Sequence, residues 1–409
     1  MTEVRVDPKI IDLLKEKKEK PHASLEYFPP RTDEGVKNLY NRMDRMKQNV
    51  APLFTDVTWG AGGSTADLSM DIALTAHAKG HVANLHMTCT NMEGVEDPKA
   101  GIRAALQQAL DGGIRNIVAL RGDPPAGQDE WKASEGGFEC ALDLVKFIRA
   151  EFGSDFGVSV AGYPEGHPNA ITEIEDPSSM TESEKGRCST LDGKTYTCRD
   201  EDYKKEMVYL KEKVDAGADF IITQMFFDTQ VFIQFVKDCR AYGIMCPVVP
   251  GLMCLNAYAG FRKMTKFCKT RVPTDLDEGM EQRKDADKDA MREYGVSYGT
   301  QMCRDLVEFL DTDVAPYALH FYTLNLEKVV YGILEALDII DPVKEADEAD
   351  ASTMAAVGSA WARVGDTVKC AKGVGIVQDL DVSTGTATVL LKDTDETVTL
   401  AKTDYEKVF

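Results

Sequence analysis

The chain is poor in the residues that mark metal-binding and disulfide-built proteins. Its ten cysteines are spread over 409 residues with no C-x-x-C pair, which argues against a zinc ribbon or a thioredoxin-type motif. Its six histidines include no H-E-x-x-H spacing, so no metal is expected. Positive charge is also short: 47 basic residues against 68 acidic ones leave a formal net charge of -21. Nucleic acid and anionic membranes, which both attract positive charge, are therefore not expected as partners. No apolar run has the length of a membrane span. The opening MTEVRVDPKIIDLLKEKKEK carries acids and has no apolar signal core, so neither a signal nor a transit peptide is expected. Scattered, reduced cysteines and no leader predict a cytoplasmic protein.

What remains is globular in composition, with 43% hydrophobic and 28% charged residues. The length suits one barrel-sized domain plus an appendage. Eight short runs are rich in β-branched and aromatic residues: 23–28, 53–59, 83–89, 116–122, 157–163, 220–227, 247–252 and 318–324. Most are apolar on successive residues, the pattern of parallel strands buried on both faces. Helical patterns fill the gaps. Asp97 and Pro98 open one, Ile102, Ala105, Leu106 and Ala109 share its face, and Gly112 and Gly113 end it. Phe232, Phe235, Val236 and Cys239 share the face of a second, and Met207, Leu210 and Val214 that of a third. Strand and helix alternating to a count of eight predict an α/β fold, a (β/α)8 TIM barrel over residues 1–342.

Two stretches stand outside this pattern. Residues 171–205 are acidic and polar and separate the fifth strand from its helix, so a functional loop or a disordered insertion is expected there. Cys188 and Cys198 within it are read as free thiols rather than a pair. Residues 343–360 read as a small, acidic linker. Residues 361–409 alternate apolar and polar residues between Gly and Asp turns, which predicts a small all-β, SH3-like appendage. No pattern within it names its ligand; a protein partner is the expectation carried forward, and a homo-oligomer is compatible with the chain.

A barrel of this kind places its active site at the C-terminal ends of its strands. There the sequence puts Glu26 before FPPR, Thr58 and Trp59 before a glycine-rich GAGGS, His86 and Cys89, then Arg121, Gly122 and Asp123 before two prolines. Tyr163 and His167 lie in YPEGHP, and Gln224, His320, Tyr322 and Asn325 follow later strands. This ring suits a large planar cofactor held by stacking and hydrogen bonds, with a carboxyl group for proton transfer. Each member also has a plainer reading. Glu26 could be a helix cap, His86 a satisfied core histidine, Asp123 a turn former, and the glycine loop is not G-x-G-x-x-G.

The segments SLEYFPPR, DVTWGAGGST, HMTCTNM, NIVALRGDPP, EGGFECALDLVKFIR, VAGYPEGHPNA, LKEKVDAGADFIITQMFFD, CPVVPGL and LHFYTLN occur in this order. Together they resemble the methylenetetrahydrofolate reductase family over about residues 20–340. The resemblance implies an FAD-binding barrel without a Rossmann motif. It implies reduction of 5,10-methylenetetrahydrofolate to 5-methyltetrahydrofolate with NADPH or NADH as hydride donor, supplying methyl groups for methionine synthesis. Glu26 matches the family's general acid, which protonates N10 of the folate. Asp123 matches the aspartate between flavin and pterin. Thr58, Trp59, His86, Arg121, Gly122, Asp123, Ala141, Tyr163, His167, Glu206 and Lys213 match FAD-holding positions. Glu26, Asp123, Gln224 and Tyr322 match the substrate contacts.

The chain also departs from that family. Cys140 stands where relatives carry a tyrosine against the FAD, Glu206 replaces an aspartate, and Leu326 replaces an arginine that helps to hold folate. Leucine cannot pair with a carboxylate. The residues after the barrel do not resemble the S-adenosylmethionine-sensing domain of eukaryotic relatives, so no inhibition by that ligand is expected. Two rival functions stay open from the residues alone: another FAD-barrel oxidoreductase, proline-dehydrogenase-like, or a non-catalytic regulatory subunit.

Overall fold

The computed structural model describes residues 4–16, 20–59, 65–89, 97–123, 131–133, 135–312 and 318–343. In the C-terminal part it describes 367–370, 373–381, 386–391, 397–401 and 405–407. They fall into two compact units, one reaching to Val343 and one holding the C-terminal strands.

In chain order, the first unit contains strands β1 (His22–Tyr27), β2 (Thr55–Val57), β3 (Ala83–Thr88), β4 (Asn116–Leu120) and β5 (Gly157–Gly162). It continues with β6 (Ile171–Ile174), β7 (Ser189–Leu191), β8 (Lys194–Cys198), β9 (Phe220–Thr223), β10 (Val248–Val249), β11 (Gly251–Met253) and β12 (Ala318–Tyr322). Nine of them form one parallel sheet in the order β10-β9-β5-β4-β3-β2-β1-β12-β11. The two ends of that sheet, β10 and β11, are consecutive pieces of a single run interrupted at Pro250. Proline has no N–H to give to a ladder, but its carbonyl still accepts from His320 N at 3.0 Å. The sheet is thus a nearly closed, barrel-like wall, and each of the eight expected runs supplies part of it.

The helices are α1 (Ile10–Leu14), α2 (Asp33–Val50), α3 (Ala66–Ala78), α4 (Pro98–Asp111), α5 (Ala141–Phe152) and α6 (Glu182–Gly186). They continue with α7 (Asp200–Asp215), α8 (Thr229–Ala241), α9 (Tyr258–Cys268), α10 (Thr274–Glu281), α11 (Lys288–Thr312) and α12 (Lys328–Ala336). The α4 boundary follows its sequence: the Asp97 carboxylate accepts from Lys99 N and Ala100 N, and Pro98 takes the first turn. Its stripe Ile102, Ala105, Leu106 and Ala109 is buried, as is the Phe232, Phe235, Val236 and Cys239 stripe of α8. At the N-terminal end of the strands, Ile10 and Leu14 of α1 join Phe54, Phe220, Ile222, Val249 and Ala318 in an apolar plug. The opposite end is left to polar residues. No helix among the described residues is long and apolar enough to cross a membrane.

The stretch 171–205 corrects an expectation: it is neither an open loop nor a disordered insertion. It folds as an antiparallel sheet in the order β6-β8-β7 together with α6, and its last residues belong to α7. Thr181 and Glu184 close a capping box on α6. Ion pairs join Glu184 to Arg199 and Arg187 to Asp200. The polar composition disguised strands too short to show a period, built around a few buried residues such as Ile171, Ile174 and Cys198. Cys188 and Cys198 are free thiols.

The C-terminal unit comprises β13 (Thr367–Cys370), β14 (Gly373–Asp381), β15 (Thr386–Leu391), β16 (Thr397–Ala401) and β17 (Tyr405–Lys407). It is an antiparallel sheet in the order β16-β15-β14-β13-β17, with Val389, Leu391 and Val398 buried. The expected linker, apart from Val343, lies outside the described residues.

Candidate active site at the strand ends

Glu26, next to last in β1, and His86 of β3 meet over the end of the barrel. His86 Nε2 lies 3.5 Å from Glu26 Oε2 and 3.2 Å from Asp56 Oδ2 of β2. Asp56 has a side chain 1% exposed, and its other oxygen accepts from Asn84 Nδ2 at 2.9 Å. His320 of β12 completes the group. Its Nδ1 is bound to Ser24 Oγ at 2.9 Å and its ring stacks on Phe54. That fixes Nε2 3.7 Å from Glu26 Oε2 and 3.8 Å from Asp56 Oδ2, with no hydrogen-bond partner among the described residues. Burial works against charge on His86, but the hydrogen bond to Asp56 and the charges of Glu26 and Asp56 outweigh it, so its pKa is raised.

Glu26, Asp56 and His320 each bring one donor atom within 4.8 Å of the others, a spacing a metal ion could bridge. The sequence had led to no such expectation. Protons suit the same geometry, because two imidazoles facing two carboxylates can balance charge by hydrogen bonding.

Tyr322 stands beside this group, and burial followed by the charges of Glu26 and Asp56 pushes its phenol well up. Its hydroxyl donates to the Thr223 carbonyl at 2.5 Å, next to Gln224. The tyrosine passes over Gly251, where a Cβ would come within 2.6 Å of the phenol and 2.2 Å of Thr223 O. The interruption of the seventh run is therefore where Tyr322 crosses. Thr323 Oγ1 donates to the Glu26 carbonyl at 2.7 Å, and the Asn325 amide grips both the N–H and the carbonyl of Phe28. Residues Leu324 and Asn325 take left-handed φ of 52° and 56° to make that clip.

A second group gathers cations. Lys213 of α7, 4% exposed, donates to the Ala161 carbonyl at 3.0 Å. Burial lowers its pKa to about 8, against the opposing charge of Glu206. His167 is lowered to about 4, by burial first and then by Arg121, Lys213 and Lys269. Burial raises Glu206, against the pull of Lys213 and Arg121. Tyr163 packs its ring 4.7 Å from that of His167, and the Arg121 guanidinium lies 5.5 Å over Trp131. Three cations around a neutral histidine, with one carboxylate against them, suit an anionic group such as a diphosphate.

The loop of Tyr163 and His167 is held from below. Gly166 takes φ +98°, and a Cβ there would meet the Cys198 Cβ at 2.6 Å, so the folded insertion packs directly on it. Glu165 is buried, its pKa driven well up by desolvation, and one oxygen accepts from Arg271 N at 3.1 Å.

Of the remaining expected residues, Thr58 and Trp59 follow β2, Gly122 and Asp123 follow β4, and Ala141 opens α5. The Trp59 indole is buried with its N–H unpartnered among the described residues. Asp123 is exposed. No hydrogen bond joins Gln224 to Glu26: its side-chain oxygen accepts from Met225 N. The glycine loop 60–64 and Pro124 and Pro125 lie outside the described residues. Cys140 precedes α5, its thiol 3.7 Å from Asp143. Next to Leu326, Arg45 is paired with Glu327 and Arg42 with the Asn325 carbonyl. Sequence reasoning missed Asp56, Glu165, Lys269 and Arg271. The signal for Asp56 was one acid inside an otherwise apolar run.

A model of the family described as methylenetetrahydrofolate reductase matches residues 9–338. Methylenetetrahydrofolate reductase (NADH) 1 of Zea mays is 48% identical over 322 residues, 78% of this chain and 49% of that protein. Methylenetetrahydrofolate reductase 2 of Saccharomyces cerevisiae is 39% identical over 328 residues, 80% of this chain and 48% of its own. The 5,10-methylenetetrahydrofolate reductase of Pectobacterium carotovorum is 31% identical over 324 residues, 78% of this chain and 90% of that protein. The chain thus spans about half the length of the plant and yeast relatives. Among solved structures, a Clostridium thermocellum protein described as binding two copies of 5-methyl-5,6,7,8-tetrahydrofolic acid aligns with a TM-score of 0.51. That alignment covers 80% of this chain and 98% of the other at 14% identity, a likeness of fold alone. On the family match and these identities, the chain belongs to the methylenetetrahydrofolate reductase family.

Proposed function

We propose that this chain reduces 5,10-methylenetetrahydrofolate to 5-methyltetrahydrofolate with NADH or NADPH as donor and FAD as cofactor, in the cytoplasm, and so supplies methyl groups for methionine synthesis. The observation that carries this reading is the family match over a nearly closed barrel whose open end holds Glu26 and a separate cation cluster. In its finer form, the reading takes the wall as a (β/α)8 TIM barrel and the C-terminal sheet as an SH3-like module.

The residues present fit FAD. Lys213, Arg121 and His167 would hold the diphosphate. Tyr163, the Trp59 indole with its unpartnered N–H, Thr58, His86, Gly122, Ala141 and Glu206 would line the rest. When bound, FAD supplies the hydride transfer between nicotinamide and folate. The chain supplies the proton and the geometry. Glu26 donates to N10 of the folate, which opens the five-membered ring. Asp123 and Gln224 orient the pterin, and Tyr322, fixed on the Thr223 carbonyl, walls the site.

The test is the anaerobic visible spectrum of the purified protein, photoreduced and then mixed with methylenetetrahydrofolate. Return of the oxidised flavin bands is expected. A flavin that stays bleached would overturn the substrate in favour of another FAD-barrel oxidoreductase, and a protein without flavin would point to a regulatory subunit.

A further inference from the structure

Asp56 belongs to none of the roles above, yet its carboxylate is buried within the acid group. We propose that Asp56 is a positioning residue: it holds the His86 ring with Nε2 beside Glu26, so that His86 reloads Glu26 with a proton after each turnover. The inference rests on the reading of Glu26 as the acid.

The argument is geometric. Asp56 is held by Asn84 on one oxygen and faces His86 Nε2 with the other, at 3.2 Å. The same Nε2 lies 3.5 Å from Glu26 Oε2. His86 Nε2 thus hydrogen-bonds one carboxylate oxygen, fixed and buried, and stands beside a second, on a residue 18% exposed and able to reach substrate. His320 closes the other side. Its Nδ1 is tied to Ser24, which points Nε2 at the same two oxygens. The ionisable groups facing the pair are thus Glu26 on β1, Asp56 on β2, and His320 and Tyr322 on β12. Against burial, the hydrogen bond and the charge of Asp56 both push the His86 pKa up, which favours the charged ring.

The proton count closes. Reduction of methylenetetrahydrofolate by NAD(P)H takes up one hydride and one proton. Glu26 gives its proton to N10. The Nε2 proton of His86 then passes to Glu26 Oε2, leaving neutral imidazole, and solvent at the open end returns one proton to the ring. Without the buried carboxylate, the ring loses its hydrogen-bond anchor and part of the charge that favours its protonated form.

The test is Asp56→Asn in the holoenzyme. Asparagine can still accept from Asn84, so the strand contact survives and the charge is lost. Carbon-13 histidine NMR should show the His86 titration fall by about one pH unit or more, as expected when an adjacent opposite charge is removed. In separated half-reactions, folate reduction should slow about tenfold or more, with its pH profile displaced to lower pH, and NAD(P)H oxidation should keep its rate. An unmoved His86 titration, or an equal loss in both half-reactions with an unmoved profile, would overturn the proposal. Should the variant fail to fold, the wild-type titration decides: a His86 that titrates at or below the ordinary histidine value refutes it. The NMR readout needs no folate, so it stands or falls apart from the substrate assignment.

Discussion

The two ends of the barrel each hold a histidine against a buried aspartate, and they use it differently. At the end closed by α1, Asp7 is fully enclosed, lies 3.0 Å from both Arg5 and His77, and accepts from Ala83 N. His77 bonds the Arg5 carbonyl through its other nitrogen. Every neighbour there belongs to the N-terminal segment or to the strands and helices it seals, and the apolar plug of Ile10 and Leu14 excludes water. At the open end, His86 hydrogen-bonds Asp56 and stands 3.5 Å from Glu26, His320 Nε2 has no partner among the described residues, and Glu26 is partly exposed. The same residue types thus serve as a clamp where their contacts are made internally. On the function proposed above, they serve as a proton site where one contact is left for something else.

Substitution at each end should separate these roles. The largest effect belongs to Glu26→Gln. Folate reduction should fall about a thousandfold or more, within reach of a lost general acid, while NAD(P)H oxidation and the melting temperature stay near wild type. Stopped-flow measurement of the two half-reactions checks it, and equal losses in both would break the comparison. Asp7→Ala should do the reverse. It removes the carboxylate from Ala83 N and His77 Nδ1, which should cost about 1–3 kcal/mol of stability with the rate per folded molecule unchanged. Urea unfolding alongside active-site titration tests this; a specific loss of turnover would show that the closed end also serves the chemistry.

The smallest effect sharpens the second group of the open end. Lys213 is depressed to about 8. A bound diphosphate favours its charged form, so the complex holds the proton to higher pH than the free protein does. With FAD as the proposed cofactor, its binding should take up a proton above about pH 8, and affinity should fall several-fold as pH rises past that point. Lys213→Arg, which keeps its charge at any such pH, should make the affinity flat. Flavin fluorescence titrations at several pH values decide between the two outcomes.

Much of the fold could be read in advance. The eight runs were visible because strands buried on both faces must be apolar on successive residues, and Asp97–Pro98 marked a helix start that the structure retains. The insertion was not visible. Its strands are three to five residues long, and its buried charges, such as Glu184 paired with a partly exposed Arg199, look in sequence like those of a solvated loop. The candidate site was legible as a ring of strand ends and as family motifs. Asp56 stayed hidden because an acid within an apolar run says nothing of what it faces. Glu165 stayed hidden because YPEGHP shows no sign that its acid is enclosed.

By itself, then, the sequence determined which segments become strands and which residues stand at their ends, because periodicity and capping act within a few residues along the chain. Only the tertiary structure decided that β1, β2, β3 and β12 bring Glu26, Asp56, His86 and His320 within about 4 Å. Those residues are separated by up to most of the barrel's length in sequence. Their coupling depends on distance and on exclusion of water, which the closing of the sheet creates.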